Sequence, residues 1–149
     1  MVPYVSAMNA PLYNVEILRL AAATAGFARL SEPMGSAERR SPVCGSRIAL
    51  DLDLDADGRV SALGMEVRAC ALGQASAALF ARHAISRDRA ELIVARDALT
   101  RWLAGEGGVP EWPGLDIFTP ALPHSARHAS IRLAFEAAVE AANQISEGN

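Results

Sequence analysis

The sequence predicts an α+β domain in which a three-stranded antiparallel β-meander packs against about four helices. Leucines alternate with aspartates over residues 48–55, a pattern typical of a half-buried strand. A turn sequence at 55–58 and a second apolar-rich stretch then indicate a hairpin. Apolar residues at helical spacing occur before and after this hairpin. We expect one domain over residues 1–149, with a flexible segment at 1–10 and a tail at 143–149.

The part of the chain before the hairpin is expected to contain one helix. Apolar spacing over residues 12–23 predicts an amphipathic helix that Gly26 ends. Residues 26–30 are compatible with a short strand. Residues 31–42 contain two prolines and a glycine, which favours a polar loop or an edge strand.

The hairpin is the clearest local prediction. Strands are expected at 48–54 and 60–67, and a phase change near Ser61-Ala62 predicts a β-bulge. The aspartates at alternate positions over 51–57 have a spacing that also suggests a calcium loop. Their alternation with leucine favours a solvated strand face instead, since the bidentate glutamate of an EF-hand is absent.

The hairpin also predicts where the two cysteines lie. Cys44 precedes Asp57 by thirteen residues, and Cys70 follows Asp57 by thirteen. Antiparallel pairing centred on Asp57 therefore brings both thiols to the same end of the hairpin, within one register step.

The remaining chain is predicted to be mostly helical. Residues 70–84 are rich in alanine, and Cys70 lies at the start of this helix. Ser86 resembles an N-cap for a helix over 87–104, which Gly105 ends. After a loop, residues 123–142 predict the last helix.

Composition excludes several classes of function. The net charge is −3, and all 14 basic residues are arginine. No basic run is interleaved with aromatic residues, so we expect no nucleic-acid binding. The apolar stretches are too short to span a membrane, and residues 1–10 lack the pattern of a signal peptide. We expect a cytoplasmic, reducing location, where two cysteines are metal-binding, catalytic or inert rather than disulfide-bonded.

Four segments carry a family resemblance: Leu12-Tyr13-Asn14, Val43-Cys44-Gly45-Ser46, Cys70-Ala71-Leu72-Gly73-Gln74-Ala75-Ser76-Ala77 and Ala126-Arg127-His128-Ala129-Ser130. In this order they resemble the iron–sulfur cluster assembly scaffold family of IscU, NifU N-terminal and SufU proteins. The run that begins at Cys70 is the most specific of the four. The resemblance implies an IscU/SufE-like domain.

The resemblance also implies a ligand set. In this family, a Cys-Gly-Asp motif, a Gly-Cys-Ala-Ile-Ser motif and a third cysteine on the last helix hold a [2Fe–2S] cluster or zinc. Cys44 and Cys70 match the first two cysteines, and Ser46 replaces the aspartate. The third cysteine falls on Ser130 when the apolar residues after it are aligned. It falls on Ala129 when the family's Leu-Pro and His-Cys pairs are aligned.

The candidate metal ligands are therefore Cys44, Cys70, Ser46, His128 and Ser130, with Cys44 and Cys70 as the cofactor-binding pair. Thiolates suit both zinc and iron–sulfur clusters, whereas a neutral serine hydroxyl is a poor ligand. We expect zinc, iron or a [2Fe–2S] cluster to be bound only weakly by this reduced set.

The resemblance implies a scaffold-like protein rather than an enzyme. A cysteine desulfurase or other iron–sulfur assembly factors are the implied partners, without nucleic acid or membrane. A degenerate, metal-free relative with an interaction or regulatory role is the first alternative. The second is a cysteine-based sulfur acceptor that uses Cys44 or Cys70 as nucleophile and His128 as base.

Overall fold

The computed structural model describes residues 14–42 and 45–145. These residues form a three-stranded antiparallel sheet and four α-helices. The sheet has the order β1–β2–β3, and the α+β class and the meander are as predicted. Short 3₁₀ turns lie at Thr24–Gly26, Leu115–Ala121 and Ser125–Arg127. The main elements are α1 (Val15–Ala23), β1 (Gly35–Arg40), β2 (Arg47–Leu54), β3 (Val60–Arg68), α2 (Ala71–Ala84), α3 (Arg89–Leu103) and α4 (His128–Asn143).

The β2–β3 hairpin contains the predicted bulge. Asp53 pairs with Ala62, whereas the next residue, Leu54, pairs with Val60. Ser61 is therefore the extra residue in β3. An extra residue increases the local twist and reverses which face the following side chains occupy, so the bulge accounts for the phase change in the sequence.

The core lies between the sheet and the helices. Ile48, Leu50 and Leu52 on the inner face of β2 are buried, and both β1 and β2 pack against α4. Gly35 permits this approach, because a Cβ atom there would collide with the main-chain oxygen of Ala141 in α4. Helix α2 packs against both α1 and α4, so the first turns of α2 and α4 are held in place by the core.

Two predicted helix starts are wrong. Asp88, not Ser86, caps α3, and its side chain forms a capping box with Glu91. Ser86 instead has a positive φ of 77° and belongs to the connection before the cap. The last helix starts at His128 rather than at residue 123, since 3₁₀ turns occupy the preceding residues. None of the helices in the described ranges is long and apolar enough to cross a membrane.

Asp51 is buried, so its interpretation as part of a solvated strand face is wrong. Its carboxylate accepts hydrogen bonds from Arg29 at 2.7 and 2.9 Å, from Ser36 Oγ at 2.6 Å and from the Leu30 N–H at 2.9 Å. These bonds hold residues 26–30 on the outer face of the sheet. That segment is irregular rather than the short strand that the sequence allowed.

The predicted flexible segment 1–10 lies outside the described residues. At the other end, the first residues of the predicted tail are packed against β1. Gln144 accepts a hydrogen bond from the Ser36 N–H at 3.2 Å, and Ile145 is buried. Asn143 is the last residue of α4.

Candidate functional site

The first turns of α2 and α4 meet at one end of the sheet. Cys70 is the N-cap residue of α2 and is half-buried. Three residues further on, a Cβ atom on Gly73 would lie 3.3 Å from Ser130 Cβ in α4. Ser76 Oγ donates to the Ile131 carbonyl at 2.7 Å, one turn deeper between the same helices. The absence of a side chain at Gly73 thus brings the Cys70 end of α2 against Ser130.

Ser46 and Ser130 are joined by a buried hydrogen bond. Ser130 Oγ donates to Ser46 Oγ at 3.0 Å, and the two residues are 0% and 3% exposed, respectively. The Ser46 carbonyl also accepts a hydrogen bond from the Ser41 N–H at 2.8 Å, which closes the loop before β2. Two candidate ligand positions, 84 residues apart in the chain, are therefore in contact. One directly precedes β2, and the other is in the first turn of α4.

His128 is buried and bonded to the main chain. Its Nε2 lies 2.9 Å from the Ala121 carbonyl oxygen, and a carbonyl can only accept, so Nε2 carries the hydrogen. This bond connects the start of α4 to the 3₁₀ turn at Leu115–Ala121. Nδ1 is left as the nitrogen with a lone pair. Ala129, the alternative third-cysteine position, is partly exposed.

Cys44 lies outside the described residues, so its predicted approach to Cys70 stays a prediction. The hairpin register bears on it only indirectly. A hairpin centred on Asp57 would pair Arg47 with Val67. In the structure Arg47 pairs with Arg68, so the two registers differ by one residue.

The described residues do not form a complete metal or cluster site. Among them, no three His, Cys, Asp or Glu side chains are grouped as metal ligands would be. The Ser46 and Ser130 hydroxyls are neutral and bonded to each other, and His128 Nε2 donates to a carbonyl. A zinc site needs about four good donors. A metal ion bound to the Cys70 sulfur would therefore need further donors, from Cys44 and from other groups outside the described residues.

The contacts of three residues were not predicted from the sequence. Gly73 allows the close contact of α2 with α4, and Ser76 bonds across the same interface. Asp51 anchors the segment on the outer face of the sheet. A glycine and a serine inside a predicted helix are unusual enough to signal close packing, but nothing local marks Asp51.

The contact at Gly73 predicts a compensating pair of substitutions. The family pattern Gly-Cys-Ala-Ile-Ser has glycine where this chain has Ala69 and serine where it has Gly73. A Cβ atom on Gly73 would lie only 2.8 Å from the Ala69 Cβ. We expect Gly73→Ser to lower the free energy of unfolding by about 1–3 kcal/mol through overpacking, despite the better helix propensity of serine.

Adding Ala69→Gly to Gly73→Ser should recover part of this loss, because it removes the nearer of the two opposing carbons. Urea unfolding of both single variants and of the double variant measures the coupling. Purely additive effects in this cycle would contradict the proposed contact.

Solved structures provide the comparison with known proteins. The N-terminal NifU-like protein of Brucella abortus is 38% identical, with a TM-score of 0.88, over 95% of this chain and 99% of that protein. A proposed iron–sulfur cluster assembly scaffold protein for the SUF system, from Fervidobacterium islandicum AW-1, is 15% identical. It superposes with a TM-score of 0.79 over 90% of this chain and 98% of that one, and so shares the fold.

No family model matches the sequence, and no curated protein is significantly similar. The membership therefore rests on the solved Brucella protein, whose identity extends over almost the full length of both chains. This chain belongs to the IscU/NifU/SufU scaffold family.

Proposed function

We propose that this protein acts in iron–sulfur cluster assembly as a scaffold-like protein that holds iron, zinc or a [2Fe–2S] cluster weakly. The observation that carries the proposal is the 38% identity with a NifU-like N-terminal protein over 95% of this chain. A match over this length covers far more of the chain than the short motifs around the cysteines.

The position of Cys70 supports this role. The residue is only half-buried, at the start of a helix of 14 residues, which is compatible with access of a metal ion or another protein to its thiol in the folded domain. Thiolate sulfur is a soft donor that suits zinc, iron and iron–sulfur clusters. Cys70 is therefore the described residue that we assign to cargo binding.

The reduced donor set favours transient binding. Cys44 and Cys70 supply two thiols, whereas Ser46 and Ser130 offer neutral hydroxyls that are bonded to each other. A metal ion held by two thiolates keeps positions for donors from water or a second protein. We propose that a cysteine desulfurase or another assembly factor is that second protein.

Anaerobic loading tests the proposal. Purified protein is incubated with ferrous iron and sulfide, or with zinc alone, and metal per chain is measured after desalting. We expect Cys70→Ala to reduce retained metal at least tenfold, as loss of a first ligand does. His124→Ala, which removes an exposed histidine near the same end of α4, serves as the control and should retain the wild-type amount. Equal metal in wild type and in a Cys44→Ala/Cys70→Ala variant would contradict the proposal.

A metal-free interaction or regulatory protein is the second candidate function. The Ser46–Ser130 hydrogen bond favours it, because two ligand positions stabilise the fold without a metal. The same loading experiment separates the two functions. A wild-type protein that is fully folded and retains no metal would support the metal-free function.

A sulfur-acceptor role has less support. Such a role needs a general base beside the thiol, and His128 is the residue that the sequence offers. Its ring is buried and Nε2 donates to the Ala121 carbonyl, so only Nδ1 could accept a proton.

A further inference from the structure

Three arginines stand side by side across the whole sheet. Arg40 of β1 pairs with Arg47 of β2, which pairs with Arg68 of β3. Residues directly opposite each other in antiparallel strands share a face of the sheet. Because neighbouring residues alternate and Ile48 faces the core, this row lies on the outer face. We call these three residues the arginine row.

The arginine row carries more positive charge than its neighbours balance. Glu38 lies 3.3 Å from Arg40 and 3.4 Å from Arg47, and Glu66 lies 3.0 Å from Arg68. Three cations thus share two carboxylates. The arginine side chains are 69%, 34% and 65% exposed, respectively. Like charges directly opposite each other destabilise a sheet, and two carboxylates cannot neutralise three cations, so the row keeps a net positive charge.

The arginine row lies at the end of the molecule that contains Cys70. Arg68 is the last residue of β3 and precedes Cys70 by two residues. Helices α2 and α4 also begin at this end, and neither has an acidic residue in its first turn. In contrast, α1 and α3 carry Glu16 and Glu91 there. The partial positive charges of the two helix N-termini therefore add to the field of the arginine row.

In the described part of the chain, some of the outer face is covered, whereas the arginine row stays accessible. A Cβ atom on Gly64 would lie 2.5 Å from the Ala28 carbonyl oxygen, so residues 26–30 lie directly on the sheet there. Arg29 bonds to Asp51 on the same face. A protein that approaches this face meets the arginine row and the Cys70 end together.

We propose that the arginine row docks an acidic surface segment of the cysteine desulfurase that serves this protein. The inference rests on the proposed function and specifies the chemistry of the partner surface. Three strands span about 10 Å, which matches a short run of carboxylates rather than an extended polyanion. The two glutamates beside the row, Glu38 and Glu66, argue against nucleic acid, whose phosphates they would repel. The net charge of the chain is −3, so the arginine row is opposite in sign to the chain as a whole.

Binding of the purified desulfurase from the same organism tests the proposal. We compare wild type with Arg40→Gln/Arg47→Gln/Arg68→Gln. The control, Arg19→Gln/Arg59→Gln/Arg82→Gln, removes equal charge away from Cys70. Arg59 is at the turn end of the hairpin, Arg82 is in the last turn of α2, and Arg19 lines the same surface depression as Arg82. Affinity is measured at about 50 mM and about 500 mM salt, where screening differs strongly.

We expect the row variant to bind at least tenfold more weakly at low salt, with most of the salt dependence lost. The control should bind within about twofold of wild type. Thermal unfolding should show that the row variant stays close to wild type in stability, because exposed ion pairs contribute little and the removal of opposed like charges offsets their loss.

Equal binding by wild type and the row variant would overturn the docking proposal while leaving the proposed function intact. Equal weakening by the control would overturn it too, since the effect would then be one of net charge. Row-dependent binding of a random-sequence oligonucleotide in place of the desulfurase would likewise overturn it. Absence of any desulfurase binding by wild type would instead contradict the proposed function, and the partner named here with it.

Discussion

Protein that carries both Ser46→Asp and Ala129→Cys is expected to bind zinc more tightly than the wild type. The double variant restores the donors of the family pattern beside Cys70. At a zinc concentration one hundred times Kd, binding should add about 2.7 kcal/mol to the free energy of unfolding. For a domain of this size, the gain corresponds to roughly 5–10 °C in Tm.

Without metal, the same double variant should be less stable than wild type. Ser46 is 3% exposed, so an aspartate there would have a buried carboxylate. Ser130 Oγ, now 3.0 Å from Ser46 Oγ, can donate to it and offset part of the cost. We expect a net loss of about 1–3 kcal/mol. Zinc should therefore offset most or all of this loss.

Position 129 is preferred over 130 for the new cysteine because of exposure. Ala129 is partly exposed, as Cys70 is, whereas Ser130 is fully buried and faces Gly73 and Ser46. Ser46→Asp/Ser130→Cys is therefore the matched control and should gain less stability from zinc. Calorimetric scans with zinc and with a chelator make the comparison. A larger zinc response from the position-130 variant would contradict the assignment of Ala129 to the third-cysteine position.

Asp51→Ala is expected to lower the free energy of unfolding by about 3 kcal/mol at neutral pH. The substitution removes the acceptor for Arg29, Ser36 and the Leu30 N–H together, and bonds to a charged group contribute more than neutral ones. Arg29 is 44% exposed and can return to water, which keeps the loss below that of a fully buried pair. Asp57→Ala, in the exposed turn, should cost much less.

The effect of Asp51 should depend on pH with a definite sign. Burial raises the pKa of Asp51, but the hydrogen bonds from Arg29, Ser36 and Leu30 outweigh it and hold the pKa below its ordinary value of 3.8. A carboxyl with a lowered pKa stabilises the fold above its unfolded-state pKa and loses this contribution as pH falls through its folded-state pKa.

Urea unfolding of wild type and of Asp51→Ala at several pH values measures this contribution. The difference in stability should be constant above about pH 5 and shrink below pH 3.8. A difference that stayed unchanged down to the acid limit of folding would contradict an ionised, hydrogen-bonded Asp51.

Local patterns were sufficient for the hairpin. The alternation of leucine with polar residues specifies which face of β2 is buried, and a change of phase in β3 specifies the bulge at Ser61. Both features depend on neighbours a few residues away along the chain or directly across a tight turn. The helix containing residues 71–84 was predictable for the same reason.

Features that depend on distant residues were not predictable in this way. Asp51 looks like its exposed neighbours until residues 26–30 fold over it. Ser86 and Asp88 are both good N-cap residues, and only the contact of the preceding loop with β3 selects Asp88. Nor does any local pattern indicate that Ser46 bonds to Ser130.

The sequence by itself determined the fold class, the hairpin and the family resemblance, because periodicity and motif order are properties of the chain alone. The tertiary structure decided what surrounds Cys70. Close packing at Gly73 brings α4 against α2, and this packing pairs the Ser46 and Ser130 hydroxyls with each other. Sheet register aligns Arg40, Arg47 and Arg68 beside the same end. These contacts form only when segments far apart in the chain bury their apolar faces together, so composition and spacing do not reveal them.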